Sequence, residues 1–228
     1  MMMEWMVKVQ LVSPILGCLL GFMFMKLKLR KHNIPYEKMM DAVTNGFFII
    51  ILTWKFAPAI LNPGWAVQSP WQALLAVGSI KHLIIGCFIA SGYMIWKSKT
   101  THFSLSVLLD VLPLGIASII IFYFLFHQHV GMRTTVPWGI KIYESKFLYH
   151  PIFMYEIIIV LCITGWLWKE NTRLGTRKYI SYFLIIEGIS HIFISLISEQ
   201  IPLLFGLSVQ QLLTFVVIST GILLFPKK

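Results

Sequence analysis

Ionisable side chains interrupt otherwise apolar runs at Asp41, Lys55, Lys81, His82, Asp110, Glu156, Glu187 and His191. An unpaired charge in an apolar medium is costly, so each needs a partner, a polar cavity or an exit to water, and such residues mark function by default. The sharpest case is YHPIFMYEIIIVLCITGWLW, residues 149–168. Pro151 suits the first turn of a helix, and His150 sits just before it. Glu156 then lies about a turn and a half inside that helix. A carboxylate at that depth calls for a cation or several donors, which implies a polar pocket at the helix mouth. The partner candidates are His150 itself, Lys81, His82, His191 and hydroxyls such as that of Tyr123. Glu187, His191, Ser195 and Ser198 recur at i, i+4, i+8 and i+11, which makes one polar stripe on a helix. That stripe either lines an internal cavity or makes interhelical hydrogen bonds. Asp41, next to a basic loop, reads instead as a snorkelling end residue.

The elements that must position these groups are membrane helices. The chain has 228 residues, of which 57% are hydrophobic and 12% charged. A soluble domain carries roughly twice that charged share. Apolar stretches of about 20 residues recur without the alternation of barrel strands. The pattern predicts an all-α, polytopic membrane bundle forming one integral membrane domain over 1–228. Seven spans are expected near 9–25, 39–61, 71–96, 105–127, 152–168, 179–198 and 208–225, with an outer loop at 128–150. Cys18, Cys87 and Cys162 all fall inside these spans and read as small buried hydrophobes. ILGC at 15–18 resembles a lipobox, but Gln10, Ser13 and Pro14 break the run before it, so a first transmembrane helix is expected there.

The basic residues set the orientation. Lys26, Lys28, Arg30, Lys31, Lys38, Lys97, Lys99, Lys169, Arg173, Arg177, Lys178, Lys227 and Lys228 fall on one side of the predicted spans. Lys8, Arg133, Lys141 and Lys146 fall on the other. The positive-inside rule places the N-terminus outside and the C-terminus in the cytoplasm. The net charge of +10 is then topology, with no nucleic acid partner required.

YHPIFMYE resembles the His-Pro-x-x-Leu-Tyr-Glu motif of bacterial prolipoprotein diacylglyceryl transferases. Residues 113–139, PLGIASIIIFYFLFHQHVGMRTTVPWG, resemble the same family's signature in length and frame, with matches at Pro113, Leu114, Gly115, Ala117, Phe124, Gly131, Pro137, Trp138 and Gly139. LSVQQLLT at 207–214 resembles the start of the family's last helix, and ILTWKFAPAIL at 51–61 loosely resembles its second span. The resemblance implies transfer of a diacylglyceryl group from phosphatidylglycerol to a lipobox cysteine. Such a reaction asks for a base near the thiol, cations at the lipid phosphate and a lateral opening. On that reading His150, Glu156 and His191 are the catalytic candidates. Tyr155, Lys81, His82, Glu187, Gln128 and Arg133 are the substrate-binding candidates. The implied partners are membrane phospholipid and prolipoprotein signal peptides, with no metal or cofactor, in a bacterial cytoplasmic membrane.

The chain departs from the family pattern where phosphate is held. The signature arginine is Ile120, the two asparagines are Tyr123 and Phe126, and the glutamate is Gln128. Further on, His191, Ser195 and Ser198 stand where the family has Arg, Glu and Arg. GSIKHLIIG stands where a Phe-His-Gly-Gly element belongs, so Lys81 or His82 would have to serve there. A guanidinium fork is not replaced by histidine without loss. Three readings follow: a divergent transferase with a rebuilt site, an inactive relative that binds lipid or lipoprotein precursor, and a small carrier with Glu156, Glu187, His191 and Lys81 along a path. The last would profit from broken helices or internal repeats, and the sequence contains neither.

Overall fold

Long apolar runs punctuated by Pro, Gly and Asn give helices, and helices dominate the computed structural model of this chain. It describes residues 2–142, 145–170 and 172–226, with side chains described from residue 13 onward. Lys227 and Lys228, the side chain of Lys8, and positions 143 and 144 of the expected outer loop lie outside the described residues. The helices are α1 (Met2–Lys31), α2 (Glu37–Leu61), α3 (Pro63–Gln68), α4 (Pro70–Leu75), α5 (Ile80–Thr101), α6 (Leu105–Phe126), α7 (Ile152–Lys169), α8 (Lys178–Ser195) and α9 (Val209–Leu224). By length and apolarity α2, α6 and α7 suffice to cross a membrane, and α9 is a shorter apolar helix. The third expected span, 71–96, is helical as one piece only from Ile80. Pro70 starts a separate short helix, and 76–79 is not helical.

The chain divides into two units, one of residues 1–33 and 106–228, the other of residues 34–105. In the second unit α2 packs along α5. A methyl group on Gly86 would lie 3.1 Å from the Ile50 backbone, so this glycine sets how closely the two helices approach. Lys55, in the last third of α2, finds its partner within this unit: its ammonium donates to the carbonyl of Ala76, which caps α4 (2.9 Å). His82 likewise stays local. Its Nδ1 accepts from the Ser79 backbone N–H at 3.0 Å in a capping box that starts α5.

In the first unit, α1 and α6 cross on small residues. A methyl on Gly17 would sit 2.8 Å from Ile119 Cα, and one on Gly21 2.9 Å from Gly115 Cα. Close backbone approach through small residues is how helices associate where the surroundings are as apolar as the side chains. α8 packs on α9 and on α7.

Two charged residues fix the ends of α7 and α8. Lys28, 2% exposed, donates to the carbonyls of Leu167 (3.2 Å), Trp168 (3.2 Å) and Glu170 (3.1 Å), closing the C-terminus of α7. Asp110, 3% exposed, accepts from the backbone N–H groups of Gly175 (2.8 Å), Arg177 (2.9 Å) and Tyr179 (3.1 Å) at the start of α8. A carboxylate on orphan N–H groups at a helix start is favoured by both hydrogen bonding and the helix dipole.

The segment expected as an outer loop contains a small antiparallel sheet. Strands β1 (Arg133–Thr134), β2 (Ile140–Lys141) and β3 (Leu148–Tyr149) pair in the order β1-β3-β2, with Arg133 opposite Tyr149 and Ile140 also opposite Tyr149. Two-residue strands are too short to show periodicity, so the sequence carried no strand signal. Between α8 and α9 a hairpin pairs β4 (Pro202–Leu204) with β5 (Leu207–Ser208). It turns through Phe205 and Gly206, both at positive φ.

Candidate functional site

Pinning the far ends of α7 and α8 leaves their near ends free to meet through polar groups. On α7, the face carrying Ile152, Glu156, Val160, Ile163 and Leu167 is buried, so Glu156 points inward with 2% exposure. On α8, His191 faces it. Its Nδ1 lies 2.7 Å from Glu156 Oε1. Among the described residues this is the ion pair within reach of proton exchange. The sequence offered several partners for Glu156, and the geometry selects His191.

The other imidazole nitrogen is covered. The side-chain amide of Gln210, on α9, contacts His191 Nε2, and Gln210 Oε1 accepts from Gln200 Nε2 at 3.0 Å. If Gln210 donates to Nε2, His191 carries its hydrogen on Nδ1 and donates it to Glu156. A chain of four side chains therefore runs Gln200–Gln210–His191–Glu156. One turn further along α8, Ser195 donates to the Ile192 carbonyl (2.6 Å) and accepts from Gln211 Nε2 (3.0 Å). Gln211 also closes a capping box with Ser208 at the start of α9. The stripe expected on α8 therefore bonds to α7 and α9 through His191 and Ser195. Ser198 bonds back to the Ile194 carbonyl at 3.0 Å.

Glu187 lies one turn from His191 on the same face, and Glu156 and His191 are the charged groups acting on it. Its Oε2 is buried with no hydrogen-bond partner among the described residues. A buried carboxyl oxygen without a donor is costly, and a ligand carrying a hydroxyl, thiol or amine would relieve that cost.

A second polar group sits at the mouth of α7. Trp138 Nε1 donates to Tyr155 OH at 2.9 Å, and His150 Nδ1 lies 3.2 Å from the same hydroxyl. The loop is laced to the helices here. The backbone N–H of Gly131 donates to the His150 carbonyl, and that of Met132 to the Ile197 carbonyl at the end of α8. A methyl on Gly131 would lie 2.3 Å from that Ile197 oxygen, so only glycine fits. Tyr155 also borders an apolar groove of about 390 Å³ between α7 and α8, lined by Ile158, Ile159, Ser190, Phe193, Ile194 and Ile197. Hence α7 shows a proton-active pair on its buried face and a hydroxyl–imidazole group beside an apolar groove.

The remaining expected residues are dispersed. Arg133 is exposed on β1, stacked 4.3 Å over the Phe147 ring. Hydrogen bonds from Ser145 and, secondarily, Arg133 hold the Tyr149 hydroxyl below the ordinary phenol range. Gln128 is exposed just beyond α6. Its neighbours His127 and His129 are the ordered ones: His127 stacks on Tyr123 at 4.2 Å, and Tyr123 OH lies 3.4 Å from His129 Nε2. In the other unit Lys81 is exposed in the first turn of α5, and His82 is held by its cap. The sequence reading missed Gln200, Gln210, Trp138 as a donor, and the His127–Tyr123–His129 stack. The Ser-x-x-Gln at 208–211 is a legible cap, but nothing local marks Gln210 as the partner of a histidine 19 residues earlier.

Comparison with known proteins matches this chain, over residues 12–226, to the family described as prolipoprotein diacylglyceryl transferase. A relative from Wolinella succinogenes, named phosphatidylglycerol–prolipoprotein diacylglyceryl transferase, is 28% identical over 138 residues. That alignment covers 57% of this chain, and it spans only half the length of the relative.

Proposed function

The chain belongs to the prolipoprotein diacylglyceryl transferase family, and on that premise we propose that it moves a diacylglyceryl group from phosphatidylglycerol to the cysteine thiol of a prolipoprotein. The observation that carries this reading is the Glu156–His191 pair at 2.7 Å, set one residue after the Tyr155 hydroxyl that His150 and Trp138 hold. The step needs a thiolate and a stabilised leaving group. The Glu156–His191 pair takes the thiol proton. Sulfur then attacks the glyceryl carbon that bears the phosphate oxygen. The C–S bond forms, the C–O bond breaks, and the electron pair leaves on the phosphate oxygen of glycerol phosphate. His150 and Tyr155 bind the phosphate side, with Arg133 and Gln128 on the approach. Glu187 accepts from the thiol or a glyceryl hydroxyl. Lys81, exposed on α5, is a phosphate-binding candidate, and His82 beside it is held in its cap.

We place the chain in a bacterial cytoplasmic membrane as one domain with seven spans, the N-terminus outside and 128–150 on the outer face. The distribution of Lys and Arg supports this. Cysteine labelling of 128–150 from the cytoplasmic side alone would refute both the topology and the outer site.

A second reading has its own support. Ile120, Tyr123 and Phe126 occupy the signature positions that carry Arg and Asn in the resembling family, which favours a relative that holds lipid or lipoprotein precursor without reacting. Complementation of a strain depleted of its transferase decides between them, run beside transfer by purified protein to a lipobox peptide. Rescue that Glu156→Gln abolishes supports the enzyme. No rescue and no transfer, with lipid or peptide still bound, supports the inactive relative.

A further inference from the structure

In the unit of residues 34–105, one end of the α2–α5 pair opens into a polar notch of about 290 Å³. Its lining is Lys38, Asp41, Thr44 and Asn45 from α2, with Lys97 and Thr101 from α5. Lys38, Asp41 and Asn45 recur at i, i+3 and i+7, so they share one face, and the notch extends about 10 Å along α2. Beside it, Asn45 Nδ2 donates to Tyr93 OH at 3.0 Å. Tyr93 in turn packs on Trp96, with ring centroids 5.9 Å apart. Paired aromatics with one polar tip are typical of the level where membrane meets water.

The charges in this notch are open. Among the described residues no ion pair joins Asp41 to Lys38 or to Lys97, although Lys38 and Asp41 are one turn apart. Two ammonium groups, one carboxylate and the Thr44 hydroxyl therefore converge without satisfying one another, while Thr101 Oγ1 donates to the Lys97 carbonyl (2.7 Å) and Asn45 to Tyr93. A bare anion would meet the lysines and also the like charge of Asp41. A phosphate diester carrying a hydroxyl or ammonium group meets all three charges: its phosphate meets Lys38 and Lys97, and its donor meets Asp41.

We propose that this notch binds the headgroup of a phospholipid whose phosphate carries a hydrogen-bond-donating substituent, at a site separate from the Glu156–His191 centre. The acyl chains would lie along the exposed apolar sides of α2 and α5, where Phe48, Leu52, Phe88 and Ile89 are open.

Native mass spectrometry of the full chain, released from micelles holding equal amounts of four lipids, tests this. The probes are phosphatidylglycerol, phosphatidylethanolamine, phosphatidylcholine and phosphatidate. The first two should be retained several-fold more than the last two. Lys38→Gln with Lys97→Gln should lower retention of the first two several-fold. Asp41→Asn should erase their advantage over phosphatidylcholine while leaving total retention near that of the parent. Lys99→Gln supplies the control, because this exposed lysine of α5 lies outside the notch and its loss should leave the profile unchanged. Circular dichroism in the same micelles checks that each variant keeps its helix content. Equal retention of all four lipids, or profiles that the notch variants do not move, overturns the proposal. Displacement of the adducts by inorganic phosphate would assign the notch to a free anion and overturn it too.

Discussion

His191 Nδ1 lies 2.7 Å from Glu156 Oε1, joining two helices across 35 positions of sequence. Glu156 is 2% exposed, against 23% for the His191 side chain, so the carboxylate depends on the imidazole more than the reverse. Glu156→Gln leaves His191 an uncharged acceptor and should cost about 1–3 kcal/mol. His191→Leu leaves a buried carboxylate without its partner and should cost more, about 3–5 kcal/mol. Thermal unfolding in micelles reads the order. A smaller loss for His191→Leu than for Glu156→Gln would mean that the pair does not hold α7 to α8. On the proposed function, either change should lower diacylglyceryl transfer by roughly 10²–10⁴-fold, the usual range for loss of a proton-transfer group.

Gln210 covers the other nitrogen of the same ring, and Gln200 orients its amide. A reagent or substrate that needs His191 Nε2 must displace it. Gln210→Ala should therefore raise the rate at which diethyl pyrocarbonate acylates His191 several-fold, read by peptide mass spectrometry. An unchanged rate would mean that the nitrogen is open already or shielded by something other than the amide.

How much of this was legible in the sequence follows from the reach of each interaction. Helix content, the apolar setting and the inward turn of Glu156 are local properties of composition and spacing, and they were readable. The pairing of Glu156 with His191 was narrowed to a few candidates because buried carboxylates need cations or donors. Choosing among them required knowing which helices touch. Asp110 shows the limit from the other side. In isolation it reads as a polar residue within a span or as an end residue. Its role depends on three N–H groups more than 60 residues away. Lys28 read as one basic residue among many in a topology signal, yet it is buried against carbonyls of α7. The short strands of the loop left no periodicity, and the close approach of Gly131 to the Ile197 carbonyl is a tertiary contact that nothing local marks.

Asp110 holds the start of α8, the helix that carries Glu187 and His191, without touching either. Asp110→Ala leaves three backbone N–H groups without their acceptor and should cost about 2–4 kcal/mol. Asp110→Asn keeps one acceptor oxygen and should cost less. Activity should fall with Asp110→Ala in step with the loss of folded protein. Full stability in Asp110→Ala would show that another group caps α8.

His32 gives a pH dependence of stability that does not involve the site. It follows α1 with its backbone N–H bonded to the Leu29 carbonyl, and its Nε2 is buried with no partner among the described residues. Burial first, and then the charges of Lys28 and Lys31, push the imidazole below its ordinary value of 6.5. As the pH falls through 6.5, the unfolded chain takes up a proton that the folded chain resists. Stability is therefore full above that pH and declines below it, until the folded-state value is passed. His32→Gln removes this proton uptake and keeps a polar side chain of similar size. Unfolding temperatures in micelles at pH 7.5 and pH 5.5 should drop less for His32→Gln than for the parent, while the two proteins differ little at pH 7.5. An equal drop in both would assign the acid sensitivity to other groups, with the protonated His32 relieved by a partner or by water.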